Sequence, residues 1–236
     1  MKILHLYYDL MDLYGEYANI KALERILSFN SIEYTTDKKT IGDTFEPGEY
    51  DFIYIGSGTE KKQKIILEDI RSRSSQLREY IESGKTALFT GNSFEILGKS
   101  ITAADGTEYE GLGIADFTVT EQNKRRITSD VILSADFTDR ELVGFINKCS
   151  EISGIREHLF RVVMGIGDNS EEAYEGIRIK NTLGTHLTGP AMMKNPHFLG
   201  YVASLITGRD ELSTDCFSYE KNGYEVTLSE LKKLTS

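Results

Sequence analysis

The sequence predicts an α/β fold built on one open, mainly parallel twisted sheet, with helices on both faces and added antiparallel strands. Three observations carry that expectation. Short apolar runs at residues 2–8 (KILHLYY), 51–55 (DFIYI) and 86–90 (TALFT) each stop at a Gly or Asp. Segments of helical periodicity lie between them, the pattern of βαβ units. From Ile101 onward the texture changes to short, partly alternating segments joined by Gly, Asn and Asp.

Residues 2–8 are dense in β-favouring side chains and form the first strand. After a break at Gly15, residues 19–29 (NIKALERILSF) place Ile20, Leu23, Ile26 and Leu27 on one helical face. Residues 32–36 (IEYTT) read as the second strand. The strand at 51–55 runs straight into Gly56-Ser57-Gly58. One long helix is expected over 60–82, with Ile65, Ile66, Ile70, Leu77 and Ile81 inward and Ser83-Gly84 closing it. Residues 86–90 follow as a strand. Residues 112–120, 127–133, 142–147, 162–166 and 175–180 read as antiparallel strands or additions to the sheet, and 183–187 as one more. Asn195-Pro196 is a helix-start signal, an N-cap residue with proline at the first helical position, and that helix runs to Gly208. Thr227-x-x-Glu230 reads as a capping box before Leu231 and Leu234. With no linker or repeat dividing the chain, residues 1–208 are expected to form one domain and 209–236 a helical tail packed on it.

At 236 residues the chain allows one large domain or two small ones, on a scale of ~150 residues per domain. Its 27 Lys+Arg against 37 Asp+Glu leave a net charge of −10. That balance speaks against nucleic acid as the main partner, because binding phosphates needs Lys and Arg on one face. It speaks equally against anionic membranes. No apolar stretch reaches the ~18 residues of a membrane span, and residues 1–8 are too short for a signal peptide, so the expected compartment is cytoplasmic. The thiols are Cys149 and Cys216; the imidazoles are His5, His158, His186 and His197. Two thiols make no disulfide framework, and no Cys-x-x-Cys or His-x-x-x-His spacing is present for zinc. No metal or cofactor is expected.

In open parallel sheets, ligands bind beyond the carboxyl ends of the strands. Three loops qualify. Gly56-Ser57-Gly58-Thr59, between a strand and a helix, offers backbone N–H groups suited to an anion or oxyanion; glycines at such turns are also often only sterically required. It is not a Walker loop, because no Gly-Lys-Ser/Thr follows, nor a dinucleotide fingerprint. The second loop, Gly91-Asn92-Ser93-Phe94-Glu95-Ile96-Leu97-Gly98, has the strand–turn–helix shape of a nucleophile elbow. Its tip is Gly91, which carries no side chain; Ser93 two residues on is a fallback nucleophile, with helix capping as its plainer role. The third loop holds Gly184-Thr185-His186-Leu187-Thr188-Gly189-Pro190. There His186 reads equally as a general base or as a structural residue, facing the same way as Thr188 with Leu187 opposite.

These pieces, in this order, resemble a known family. Tyr8-Asp9-Leu10-Met11-Asp12-Leu13-Tyr14-Gly15, Ala18-Asn19-Ile20 and Leu23-Glu24-Arg25 look like the opening of class I glutamine amidotransferases of the cobyric acid synthase type. Within them the likeness is nearest to the glutaminase subunits of lipid II isoglutaminyl synthases. It continues through Tyr54-Ile55-Gly56-Ser57-Gly58, Ile96-Leu97-Gly98-Lys99 and residues 105–114 (DGTEYEGLGI). Residues 180–185 (KNTLGT), Gly189-Pro190 and Lys194-Asn195-Pro196 complete it. The resemblance covers nearly the whole chain to about Gly208. It implies a cysteine at the elbow attacking the side-chain amide of glutamine, a histidine base, and an oxyanion held by N–H groups of the first glycine loop and of the residue after the cysteine. It further implies ammonia passed to a synthetase partner, Mur-ligase-like in the nearest relatives and acting on a peptidoglycan precursor.

The chain departs from that pattern at the working positions. In register with Phe94-Glu95-Ile96-Leu97-Gly98, the family's cysteine falls on Gly91 and its two glycines on Asn92 and Ser93. In register with Gly189-Pro190, its histidine falls on Thr188. Where the family carries glutamate and then histidine-glycine, this chain has Gly144-Phe145-Ile146-Asn147-Lys148-Cys149. The middle glycine of the first loop is Ser57. An arginine that helps to hold glutamine falls on Arg126, with Arg125 beside it. The resemblance thus implies a ligand-facing set of Gly56, Ser57, Gly58, Asn92 and Arg126 around an absent catalytic pair. Losing nucleophile and base removes roughly six orders of magnitude of rate in enzymes built this way. The expectation is a protein that does not hydrolyse glutamine but keeps a partner, such as a Mur-ligase-like synthetase, or a small-molecule ligand. Two alternatives stay open: a rewired hydrolase using Ser93 or Thr90 with His186, and an active amidotransferase subunit.

Overall fold

In chain order the strands are β1 (Lys2–Leu6), β2 (Thr35–Lys39), β3 (Phe52–Ile55), β4 (Thr86–Thr90), β5 (Ser100–Thr102), β6 (Glu108–Glu110), β7 (Thr118–Glu121), β8 (Ile127–Ala135), β9 (Thr138–Lys148), β10 (Ser150–Ser153), β11 (His158–Met164), β12 (Tyr174–Ile179), β13 (Thr182–Thr185) and β14 (Leu187–Thr188). The helices are α1 (Tyr17–Phe29), α2 (Glu60–Ile70), α3 (Ser74–Glu82), α4 (Ala191–Lys194), α5 (Pro196–Thr207) and α6 (Ser218–Lys233). This is a computed structural model, and it describes residues 1–122, 126–210 and 212–234.

The main sheet has the order β14-β9-β8-β11-β12-β13-β4-β3-β1-β2. Strands β2, β1, β3, β4 and β13 run parallel, and every pairing from β13 out to β14 is antiparallel. The antiparallel additions therefore make up half of the ten strands, and β5, β6, β7 and β10 form a second, four-stranded sheet beside it. Of the parallel strands, β1, β3 and β4 are buried on both faces, which is why they read as short apolar runs. Along β3, Phe52 and Tyr54 pack beneath α1 and α5, while Ile53 and Ile55 face α2 and α3.

Several elements differ from their expected bounds. The second strand begins at Thr35 rather than Ile32, because pairing with β1 aligns Lys2 with Thr35 and carries the ladder on to Lys39. Lysines along this outermost strand discourage further pairing. The expected helix over 60–82 is two helices: a 3-10 turn at Arg71–Arg73 intervenes, and Arg73 (φ −114°, ψ 15°) leaves helical space. Ser72 Oγ donates to Asp69 O there, the local competition by which serine weakens helix interiors. Of residues 112–120 only Thr118 onward is strand.

The C-terminal helix starts at Ser218, so Thr227 lies inside it and its hydroxyl donates back to Gly223 O rather than capping. Its inward edge, Tyr224, Leu228 and Leu231, packs on Ile132 and Val143. No helix among the described residues is long and apolar enough to cross a membrane.

The far edge of the sheet is closed in an unusual way. Strand β14 pairs only with Phe145 and Ile146 of β9. Further along, the Asn195 amide takes a strand's place: Oδ1 accepts the Val143 N–H (2.8 Å) and Nδ2 donates to Val143 O (2.9 Å). Asn195 stands at the N-cap position, and its carbonyl accepts from Leu199, but its side chain makes no capping bond.

Candidate functional site

Strands β3, β4 and β13–β14 deliver the three nominated loops to one place. The loop after β4 has the geometry of an elbow: Thr90 is extended (φ −114°, ψ 152°), Gly91 turns to φ +60°, and a 3-10 helix runs over Gly91–Leu97. An L-residue pays for such a φ and glycine does not. The backbone of a nucleophile elbow is present with no side chain at its tip. The space a side chain would need is filled: a Cβ on Gly91 would overlap Oγ and Cβ of Ser57. Ser57, from the loop after β3, is itself buried.

One N–H group of that first loop is also committed. Gly58 N–H donates to Asn92 Oδ1 (3.0 Å). Thr59 caps α2 by accepting from the Lys62 N–H. Gly56 lies against the chain around Met11, where a Cβ would come within 2.8 Å of Glu16 Cβ.

Glu16, which no sequence pattern nominated, sits where the loops converge. One oxygen accepts from Thr90 Oγ1 (2.6 Å), from Asn19 Nδ2 (3.1 Å) and from the Tyr54 hydroxyl. The other accepts the Gly189 N–H at 2.9 Å. Burial pushes this carboxyl up to about 7 against the lowering effect of those donors. Thr188, beside Gly189-Pro190, is buried and donates to Phe145 O (3.1 Å).

The fallback pair is not assembled. Ser93 Oγ is buried against Ile55 O (2.9 Å) and Thr90 O (2.8 Å). His186 turns instead to Glu95 (Nε2···Oε1 3.1 Å) and packs edge-on against Phe94. No hydrogen bond joins Ser93 to His186. Around the imidazole lie Asp168 (3.5 Å) and Glu175 (3.6 Å), all fully buried. Burial and the Lys148 ammonium oppose a charge on His186, but the three acids outweigh them and raise it to about 10. The sequence nominated His186 of this cluster but not its acids; the signal that could have found them is Glu95 standing between apolar Phe94 and Ile96-Leu97.

Arg126, half-exposed at the rim, is held by Glu60 and by Asn147 Oδ1 (2.7 Å) and O (3.1 Å). Arg125 lies outside the described residues. Cys149, beside Glu60 and partly buried, is pushed up to about 12 by burial and that carboxylate. It is far from thiolate character.

Residues 2–196 match the CobB/CobQ-like glutamine amidotransferase domain. The chain belongs to this family. It is 35% identical over 207 residues to the lipid II isoglutaminyl synthase (glutamine-hydrolyzing) subunit GatD of Staphylococcus aureus, covering 86% of this chain and 82% of that one. The GatD of Streptococcus pneumoniae is 29% identical over 197 residues, covering 83% and 76%. A solved glutamine amidotransferase superposes with a TM-score of 0.57 at 15% identity, covering 86% of this chain and 98% of that one. A glutamine amidotransferase from Thermotoga maritima gives 0.51 at 10% identity, covering 100% and 96%. The amidotransferase scaffold expected from the sequence is therefore present, and within this family the chain carries Gly91 and Thr188 at the elbow tip and beside Gly189-Pro190.

Proposed function

We propose that this chain is a non-hydrolysing glutamine amidotransferase-like subunit that partners a Mur-ligase-like synthetase in the amidation of a cell-wall precursor. The kinship to GatD supplies the process and the subunit character. The observation that carries the loss of chemistry is the occupation of the space over Gly91 by Ser57. A covalent route needs a side chain at the elbow and a base within hydrogen-bond reach of it. Here the tip has no side chain, Thr188 titrates nowhere near neutrality, and the Gly58 N–H that would meet an oxyanion is taken by Asn92. Arg126, tied to Glu60 and Asn147, is the remaining contact for a ligand carboxylate.

The test is ammonia release from glutamine by the purified chain, alone and co-expressed with a Mur-ligase-like synthetase. No turnover above the protein-free rate, together with co-purification of the two chains, is expected. Turnover that vanishes in Ser93→Ala or His186→Gln would establish the rewired hydrolase instead. Turnover appearing only in the complex would establish an active subunit. Calorimetry with glutamine should register no heat.

A further inference from the structure

The cluster around His186 plays no part in the reading above. Asp168 comes from the turn between β11 and β12, Glu175 from β12, and His186 from the link between β13 and β14. Each is at most 1% exposed. One ligand atom from each, a histidine nitrogen and two carboxylate oxygens, fits within a 4.8 Å span. His186 Nδ1 lies 3.5 Å from Asp168 Oδ1 and 3.6 Å from Glu175 Oε1. It has no hydrogen-bond partner, and neither does the buried Asp168 Oδ2. Orphaned buried polar atoms call for an explanation.

We propose that Asp168, Glu175 and His186 bind one divalent transition-metal cation of the zinc class. Three features carry this. First, bonds of about 2.1 Å opened at a tetrahedral angle put neighbouring ligand atoms about 3.4 Å apart, close to the two spacings found. Second, the other imidazole nitrogen is already held: Nε2 faces Glu95 Oε1 at 3.1 Å. This is the carboxylate–histidine arrangement that sets the tautomer of a metal ligand and leaves Nδ1 as the donor atom. Glu95 is fixed in turn by Ser150 and by Gln63 Nε2 (2.5 Å).

Third, the charges do not close without a cation. Among the described residues, Glu95, Asp168 and Glu175 have no Lys or Arg within salt-bridge distance; their ion-pair partners are His186 and His158. The nearby Lys148 ammonium is spent on the backbone carbonyls of Gly167 and Asp168. With both imidazoles neutral, three carboxylates against one ammonium leave a formal −2, which a divalent ion cancels. Without metal, a proton on Nδ1 offsets one of those two charges, and metal binding releases it. Bound, the ion would pin the β11–β12 turn to the sheet beneath the elbow.

The experiment uses the full chain, freed of any histidine tag, stripped with EDTA and then titrated with zinc, with magnesium as the comparison. One zinc per chain retained through desalting is expected, with magnesium ignored. Asp168→Asn and His186→Gln should each weaken zinc at least about 100-fold, and Glu95→Gln about 10- to 100-fold. Absence of retained zinc, or equal retention by the variants, overturns the site. Should the variants unfold by circular dichroism, the wild type decides through ¹⁵N-histidine NMR. Zinc should move the Nδ1 resonance of one histidine; resonances unchanged by zinc refute the assignment.

Discussion

The side chain of Ser57 lies over Gly91, in the volume that a Cβ at the elbow tip would need. The two residues come from loops after adjacent parallel strands, β3 and β4, so a side chain at 91 needs a smaller residue at 57. Gly91→Cys alone should be destabilised by about 1–3 kcal/mol from overpacking, with about 1–2 kcal/mol more from the left-handed backbone. Adding Ser57→Gly should recover the overpacking part. A double-mutant cycle in urea should therefore show coupling of about 1–3 kcal/mol. Additive effects would mean that the tip is open.

Glu16 links the elbow strand, the Gly189 turn and α1 through a carboxyl raised to about 7 by burial. The folded state holds this proton more tightly than the unfolded state. Stability from Glu16 is therefore undiminished below about pH 4.5 and falls as pH rises towards 7. By linkage the fall amounts to ~3 kcal/mol. Denaturant unfolding of the wild type against Glu16→Gln, at several pH values, should show the difference drifting by that order and flattening above about pH 7.

In EDTA-treated protein His186 behaves oppositely to an ordinary buried imidazole. Burial and Lys148 lower it, but Asp168, Glu175 and Glu95 raise it to about 10. Its contribution is fully present below about pH 6.5 and is lost as pH climbs towards 10. Melting temperatures between pH 6.5 and 9.5 should decline in the wild type. In His186→Gln that part of the slope should be missing.

Ser93 donates to carbonyls of both Ile55 and Thr90. Ser93→Ala leaves those buried acceptors short of a donor, at a cost of about 1–2 kcal/mol. Chemical unfolding should detect it. Reactivity toward serine-directed fluorophosphonates should be nil before and after the change.

Much of this was legible in the chain itself. Strands β1, β3 and β4 were visible as short apolar runs because they are buried on both faces, and Gly91 and Thr188 stood out against a resemblance carried by their flanks. What escaped depends on contacts distant in sequence. Glu16 is an ordinary acidic residue until Thr90 and Gly189, 74 and 173 residues away, meet it. The break at Arg73 follows from local serine chemistry and from the Arg73 side chain reaching Asp43 O, neither visible in hydrophobic periodicity. The start of α6 hid in the polar stretch 218–226, where Tyr224 alone turns fully inward.

The Asn195 amide on Val143 bears on how this protein behaves in a crowd. A strand edge with open N–H and C=O groups is a template for a neighbouring molecule's backbone. One primary amide, offering an acceptor and a donor at the spacing of a peptide group, occupies that template where β14 is too short to reach. Asn195→Leu would keep most of the packing and uncover the edge. The defect would appear as association that grows with concentration, seen by light scattering, well before any loss of secondary structure.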